Sequence, residues 1–486
     1  MSPASLKSVA IVGGGVAGWM TACALARALP ADCAIRVIET TETAPRGALS
    51  TQPTLRAFHG LLGLDEAALM RAARGTFKLG SRFSGWTAAD HVEGFSDTGA
   101  NLDGVTFHHH WLRARERGEA GRYEDYNLAA VAGRLGRFAP PSEDPRSVLS
   151  TLSYGLHLDA AGYVAALRAA AGRVERLAGE IAEVTPNTDG GVDAVHPAGG
   201  ERVTADLFID TTPDGRLIGS NADNAWIDWS TSLPCDRLAL REVAPRSEPP
   251  PLTEVEAVAE GWLRRVPLRG GDAVALAYNS RLTSDDAARE ILGGDATIVP
   301  LRNGRRARAW VGNCLAIGPA AGQLEPLNGD DAHLVQSGVS RLIALLPTAD
   351  GSPLAATEYN RLMAEELDRA RDMAVFRYAV SARTDPVWAL AREAPPSPAL
   401  AYKQSQFESR GRVVMYDEET FVEGAWVGAF LGHGVLPRRH DRLADRLPAD
   451  QADAALSRLR GLIRQAALSM PTLAMPTQTQ ALKDPA

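Results

Sequence analysis

A short apolar strand running straight into a glycine turn constrains this chain more than any other stretch of its sequence. The start reads SVAIVGGGVAGWMTACALARALP and is followed by AIRVIET. Apolar residues Val9 to Val12, a turn, a helical segment and a second strand ending in an acid predict a βαβ unit. Gly13, Gly15 and Gly18 occupy the G-x-G-x-x-G positions. The first permits the tight turn, the second lets backbone approach a pyrophosphate, and the third lets helix pack on strand. Val16 and Ala17 open the helix, whose unpaired N–H groups and positive dipole end suit phosphate. Glu39 lies about 20 residues on, where a carboxylate can accept both ribose hydroxyls of a dinucleotide. Strand, glycines, helix, strand and acid in that order predict a dinucleotide enzyme.

The 486 residues suffice for two or three cores, with 45% apolar and 23% charged residues as in ordinary soluble proteins. A net charge of −8 argues against nucleic acid as the main partner. Cys23, Cys33, Cys235 and Cys314 form no C-x-x-C pair, which argues against a disulfide framework or structural zinc. His108, His109 and His110 are consecutive, and three consecutive ring directions rarely converge on a metal, so no metal is expected. The N-terminal ALARALPA run has a signal-peptide flavour, but the glycines and the following strand fit the nucleotide fold better. With no run of 18 apolar residues, the expectation is a soluble cytoplasmic enzyme.

Later segments fill in the organisation. PRGALSTQP forms a loop, LRAFHGLLG and DEAALMRAA read as helices, and Asp65 is a candidate N-cap for the second. Residues 96–145 read as irregular. YGLHLDAAGYVAALRAAA predicts strand then helix, ADLFIDTTP a buried strand, and GWLRRVPL and VALAYNS alternating strands after the proline-rich SEPPPLTE. Residues 310–322, WVGNCLAIGPAAG, predict a strand, a small-residue turn and a long helix to Pro347; 358–380 are helical, and the last 18 residues read as disordered. With one glycine fingerprint and a late segment resembling a flavin-cradling strand and helix start, the bound dinucleotide is FAD rather than NAD(P)H, although Pro319 stands where such segments usually carry Asp. The expected fold class is α/β: a Rossmann-type FAD-binding domain of the flavin monooxygenase kind (1–100, 150–235, 300–347) interleaved with a mostly helical substrate domain (101–149, 236–299, 348–468), then a tail over 469–486.

GGGVAGWMTA, STQPTLRAFHGLLGL, GTFKLGSRFSGW, YGLHLDAAGY, DLFID, WSTSLPCDR, GNCLAIGPAAGQLEPL and WVGAFLGHGVLP, in this order, resemble the flavin-dependent tryptophan halogenase family. The resemblance implies an enzyme that takes reduced FAD (FADH2) from a separate flavin reductase. It uses oxygen and a halide, chloride or bromide, to make hypohalous acid, which travels through a tunnel to an electron-rich, indole-type aromatic. A homodimer is the family-level expectation. The family's essential lysine falls on Lys78, which, buried among Phe77, Leu79 and Phe83, would have a lowered pKa and could hold the oxidant or form a haloamine. The family's catalytic glutamate falls on Asn328, which can orient a hydrogen-bonded oxidant but cannot act as a base. Asp330 or Asp331 is a candidate replacement base, and an acidic helix start is the alternative for both.

By the same resemblance Ser50 and Thr51, with Pro53, lie near the isoalloxazine, and Gly318 and Leu327 join the cofactor contacts. The family's W-x-W-x-I-P signature reads Trp262-Leu263-Arg264-Arg265-Val266-Pro267, so Arg264 puts a cation where a tryptophan is usual. Phe58, Trp262, Trp426 and Phe430 fall on the substrate side with His433 nearby, core packing being the alternative for the last helix. Asn328 and Arg264 keep a second reading open, a halide-independent flavin monooxygenase of the same fold. A third is a catalytically degenerate flavin-binding protein.

Overall fold

The computed structural model describes residues 6–221, 224–348 and 353–473. Two compact units share the chain, each assembled from three segments. The first comprises 1–75, 158–236 and 300–371, and the second 76–157, 237–299 and 372–486.

The first unit is built on a six-stranded sheet in the order Trp310–Val311, Cys314–Ala316, Leu207–Asp210, Ser8–Val12, Ala34–Glu39, Glu175–Ala178. Ser8–Val12 pairs in parallel with both neighbours. Its Val9, Ala10, Ile11 and Val12 are all buried, the continuous apolar run of a strand covered on both faces. The helix Val16–Ala28 crosses between the first two strands, as the glycine pattern predicts. Asp65 caps Glu66–Ala72 by accepting from the Ala68 N–H at 2.7 Å.

The second unit carries a seven-stranded sheet in the order Thr297–Pro300, Arg237–Val243, Gly271–Tyr278, Gly261–Leu268, Thr253–Val258, Gly80–Ser84, His91–Gly94. Its helices include Phe107–Glu116, Leu128–Arg134, Pro398–Arg410, Glu423–Gly432 and Ala449–Ser469.

Three expectations change. Residues 76–100 group with the second unit, because Gly80–Ser84 hydrogen-bonds along Thr253–Val258 in parallel register; residues 348 and 353–371 group with the first. The stretch 96–145 is not irregular. Phe107–Glu116 buries Phe107, Trp111 and Leu112, and Asn127 caps Leu128–Arg134 by accepting from the Ala130 N–H. Ala449–Ser469 extends into the expected tail, Leu473 N–H reaches Gly136 O, and 474–486 lie outside the described residues.

Candidate functional site

In the first unit the glycine turn is fixed by steric necessity. Gly13 has φ +122°, a region L side chains rarely adopt, and a Cβ there would lie 2.2 Å from Thr211 Oγ1. A Cβ on Gly18 would lie 1.8 Å from the Gly13 carbonyl oxygen, and one on Gly15 would lie 2.7 Å from the Thr43 carbonyl oxygen. Thr211 ties the turn to the neighbouring strand, its hydroxyl donating to Val12 O at 2.9 Å. The Gly14 N–H donates to Thr43 Oγ1 at 2.8 Å. The helix N-cap is Gly15, with no side chain capping the first turn, so no side-chain cap competes there for an anion. This close backbone packing and side-chain-bare helix start fit the pyrophosphate of a dinucleotide.

The late cofactor segment converges on the same helix. Gly318, at φ +65°, sits so close to Ala17 that an added Cβ would lie 2.9 Å from Ala17 Cβ. Gly318 thus lies against Ala17 in the first turn of that helix, with Val335 beside it as well. Ser50 and Thr51 are buried beside Gln52, whose amide donates to Asn328 O at 3.2 Å, which ties that loop to the Glu325–Asn328 turn. Leu327 is buried within it, and Phe58 is buried on the helix Thr54–Leu61.

Glu39, the expected ribose acceptor, stands at the end of its strand among protein donors. Oε1 accepts from Trp19 Nε1 at 2.8 Å and also pairs with Arg168, while Oε2 pairs with Arg176. Both oxygens already carry protein donors. Trp19 belongs to the fingerprint helix, whereas Arg168 and Arg176 come from the helix Ala160–Ala171 and the strand Glu175–Ala178, beyond the unit whose pattern the sequence shows.

At the second turn the two acids part company. Asp331 is exposed as the first residue of the helix Asp331–Ala344, whereas Asp330 is buried at its N-cap. Asn328 is buried too, and Gly329 adopts φ +66° between them. Glu325, absent from the expected set, is buried and accepts from the Cys235 N–H at 3.0 Å, anchoring the WSTSLPCDR segment. Asn303 donates to the Leu233 and Cys235 carbonyls at 2.9 and 2.7 Å, fixing the same loop.

In the second unit Lys78 is fully buried at the end of the strand Thr76–Lys78. Its ammonium lies 4.8 Å from the centroid of Phe95. Of the expected neighbours, Phe77 differs because side chains alternate along a strand. Phe77 points the other way, stacking on Phe138 at 3.9 Å, and Phe83 packs against Trp86 and His91. Phe95 instead comes next to Lys78 because its N–H donates to Leu79 O at 2.9 Å.

The strand Gly261–Leu268 puts Trp262, Arg264 and Val266 on one buried face. Arg264 is therefore a buried cation, not a solvent-facing one. The fixed neighbour of this region is His157, paired across the strands with Thr76. Thr76 Oγ1 donates to Pro267 O at 2.7 Å and lies 3.1 Å from His157 Nδ1, and His157 Nε2 lies 2.9 Å from Thr253 Oγ1. Burial, then the charges of Lys78 and Arg264, hold the His157 imidazole well below its ordinary pKa.

Trp426 and Phe430 sit in a packed aromatic core. The Trp426 indole N–H donates to Glu419 at 3.1 Å, the Lys403 ammonium lies 4.1 Å from its ring centroid, and Lys403 pairs with Glu419. Phe430 stacks on Phe407 at 4.3 Å, with Phe376 against it edge-on. With these faces occupied by protein, the packing alternative describes both residues better than an indole sandwich does.

The three consecutive histidines diverge, His108 reaching Gly411 O, His110 Leu102 O and His109 the Asp441 N–H. A different group, unnoticed in the sequence, converges: His91, Glu93 and His433 place ligand atoms within 4.8 Å of one another. Arg377 takes both Glu93 oxygens at 2.8 Å, leaving a cation already seated at that carboxylate. Burial alone pushes Glu93 up, but the Arg377 charge and hydrogen bonds, with His91, outweigh it and hold the carboxyl far below the ordinary range.

A family model described as tryptophan halogenase matches residues 8–449. The chain is 28% identical to the tryptophan 6-halogenase ThaL of Streptomyces albogriseolus, over 89% of this chain and 90% of that one. It is also 28% identical to the tryptophan 7-halogenase RebH of Lentzea aerocolonigenes, over 80% and 79%. Among solved structures, BrvH, a flavin-dependent halogenase from Brevundimonas sp. BAL3, superposes with a TM-score of 0.91 at 35% identity, covering 99% of both chains.

Proposed function

The chain belongs to the tryptophan halogenase family, and from that premise we propose that it halogenates an electron-rich, indole-type aromatic, with Lys78 aiming the oxidant. Flavin-dependent halogenases are oxidoreductases that need reduced FAD, and the family generally halogenates aromatic substrates. Bound reduced FAD would supply, with dioxygen and chloride or bromide, hypohalous acid. Gly13, Gly15, Gly18 and the start of the helix Val16–Ala28 would hold its pyrophosphate, and Ser50, Thr51, Gly318 and Leu327 its remaining length.

The observation that carries the reading is Lys78, fully buried with its ammonium against Phe95. There it can donate a hydrogen bond to the oxygen of hypohalous acid, weakening the oxygen–halogen bond and fixing the direction of attack. The ring carbon bonds to halogen, the oxygen leaves as water after protonation, and the ring proton goes to a base. Asn328 can hold the oxidant but cannot take that proton, and Asp330, the buried acid two residues on, is the candidate acceptor; exposed Asp331 fits a helix start.

The expected result is that Lys78→Ala, given reduced FAD, bromide and a panel of indoles and phenols, loses brominated product while flavin reoxidation by oxygen continues. Bromination near the wild-type rate would remove Lys78 from the chemistry. A separate reductase is part of the proposal, so NADPH alone should leave the flavin oxidised under anaerobic stopped flow. Asn328 and buried Arg264 favour one other reading, halide-independent hydroxylation, which oxygenated product in halide-free buffer would reveal.

A further inference from the structure

His157 stands in YGLHLDAAGY, a stretch that the proposed chemistry leaves without a role. Its hydrogen-bond roles follow from the donors available. Thr76 has one hydroxyl proton, and it goes to Pro267 O at 2.7 Å, so the same oxygen can only accept from His157. His157 Nδ1, 3.1 Å away, therefore carries the proton. Nε2 then bears the lone pair and accepts from the Thr253 hydroxyl at 2.9 Å. The ring is fully buried between these two threonines.

Thr76 is two residues from Lys78 on the same three-residue strand, so their side chains share one face. The chain Pro267–Thr76–His157–Thr253 fastens that face to Gly261–Leu268 and Thr253–Val258. The charged groups acting on the ring are Lys78 and Arg264, so a charged imidazole would gather three buried cations.

We propose that His157 is a positioning residue for Lys78, a neutral imidazole bridging Thr76 and Thr253 that holds the lysine strand against the neighbouring sheet. The proposal rests on the reading of Lys78 as the residue that aims the oxidant, but its geometry is tested without that chemistry. Only Lys7, Lys78, Lys403 and Lys483 occur in the chain, so each lysine can be followed separately by peptide mass spectrometry.

The experiment is trace acetylation of the full-length protein by acetic anhydride across a pH series, comparing wild type with His157→Leu, His157→Asn and Thr253→Val. His157→Leu should raise Lys78 labelling about fivefold, the factor for losing one hydrogen bond's net contribution, with Lys403 and Lys7 unchanged. His157→Asn, which keeps a donor for Thr76, should stay within about twofold of wild type. Thr253→Val keeps the ring but removes its second partner and should move Lys78 in the same direction as His157→Leu, which covers the case in which the leucine variant fails to fold. Unchanged Lys78 labelling in a folded His157→Leu or Thr253→Val protein, or an asparagine variant as disturbed as the leucine one, would overturn the proposal. Brominated product per dioxygen consumed is measured in parallel. If labelling changes while that ratio does not, His157 positions Lys78 but the oxidant does not pass through Lys78, and the function reading fails alone.

Discussion

Replacing Gly18 by alanine tests the cofactor cradle most sharply, because the structure states how far the helix must move. The added Cβ would lie 1.8 Å from the Gly13 carbonyl oxygen and 3.2 Å from Thr211 Oγ1. An ordinary carbon–oxygen contact is about 3.3 Å, so the start of the helix Val16–Ala28 must retreat by roughly 1.5 Å. Neither contact can yield as a surface side chain would, since the first is backbone and the second hydroxyl is bonded to Val12 O. A retreat of that size takes an N–H···O bond out of its working range of about 2.7–3.2 Å. Two backbone bonds to a charged pyrophosphate, each contributing about 1.5–3 kcal/mol, would be lost. The expected weakening of FAD binding is about 3–6 kcal/mol, or 10²–10⁴-fold.

Flavin fluorescence titration measures the affinity, and circular dichroism confirms that each variant is folded. Gly60→Ala is the control, because its added Cβ meets nothing within 4 Å and should leave affinity unchanged. A folded Gly18→Ala protein that binds FAD within about threefold of wild type would refute the cradle.

Arg377→Met leaves the partly buried Glu93 carboxylate without its bidentate partner and should cost up to about 3 kcal/mol, lowering the melting temperature by several degrees. Adding Glu93→Gln should recover most of that loss; a double variant as unstable as the single one would count against the pair. Because folding lowers the Glu93 pKa, the pair's contribution is full above the ordinary glutamate range of about 4.3 and is lost as pH falls below it, so acid should narrow the gap between wild type and the double variant in melting curves. Asn328→Glu should raise bromination by up to about 10²–10⁴-fold if the ring proton needs a carboxylate, and Asp330→Asn should lower it if Asp330 already serves. Product yields unmoved by either change would show that no carboxylate at this turn takes the proton.

The βαβ start was legible because its constraints are local. Gly13, Gly15 and Gly18 announce backbone crowding within a few residues of themselves, and the structure shows that crowding directly. The strands Gly261–Leu268 and Gly271–Tyr278 were equally legible from their alternation, as was the Asp65 cap from one side chain and one N–H three residues on. Lys78, Asn328 and Gly318 came from motif likeness, which carries a position but not its surroundings.

Those surroundings were decided by chain segments far apart in sequence. Glu39 was readable as a ribose acceptor, yet Arg168 and Arg176 meet it only after the sheet brings Glu175–Ala178 alongside Ala34–Glu39. Arg377 meets Glu93 across 284 positions, and His157 meets Thr76 across 81 and Thr253 across 96. No periodicity or spacing encodes such pairings, because a hydrogen bond depends on where two side chains end in space. The sequence by itself determined the βαβ start and its buried first strand, since glycine sterics and a continuous apolar run act over a few residues. Tertiary structure alone decided which groups surround Lys78, which residues occupy Glu39, and that Trp426 faces Lys403, since those depend on strand register and on which buried charges must find partners.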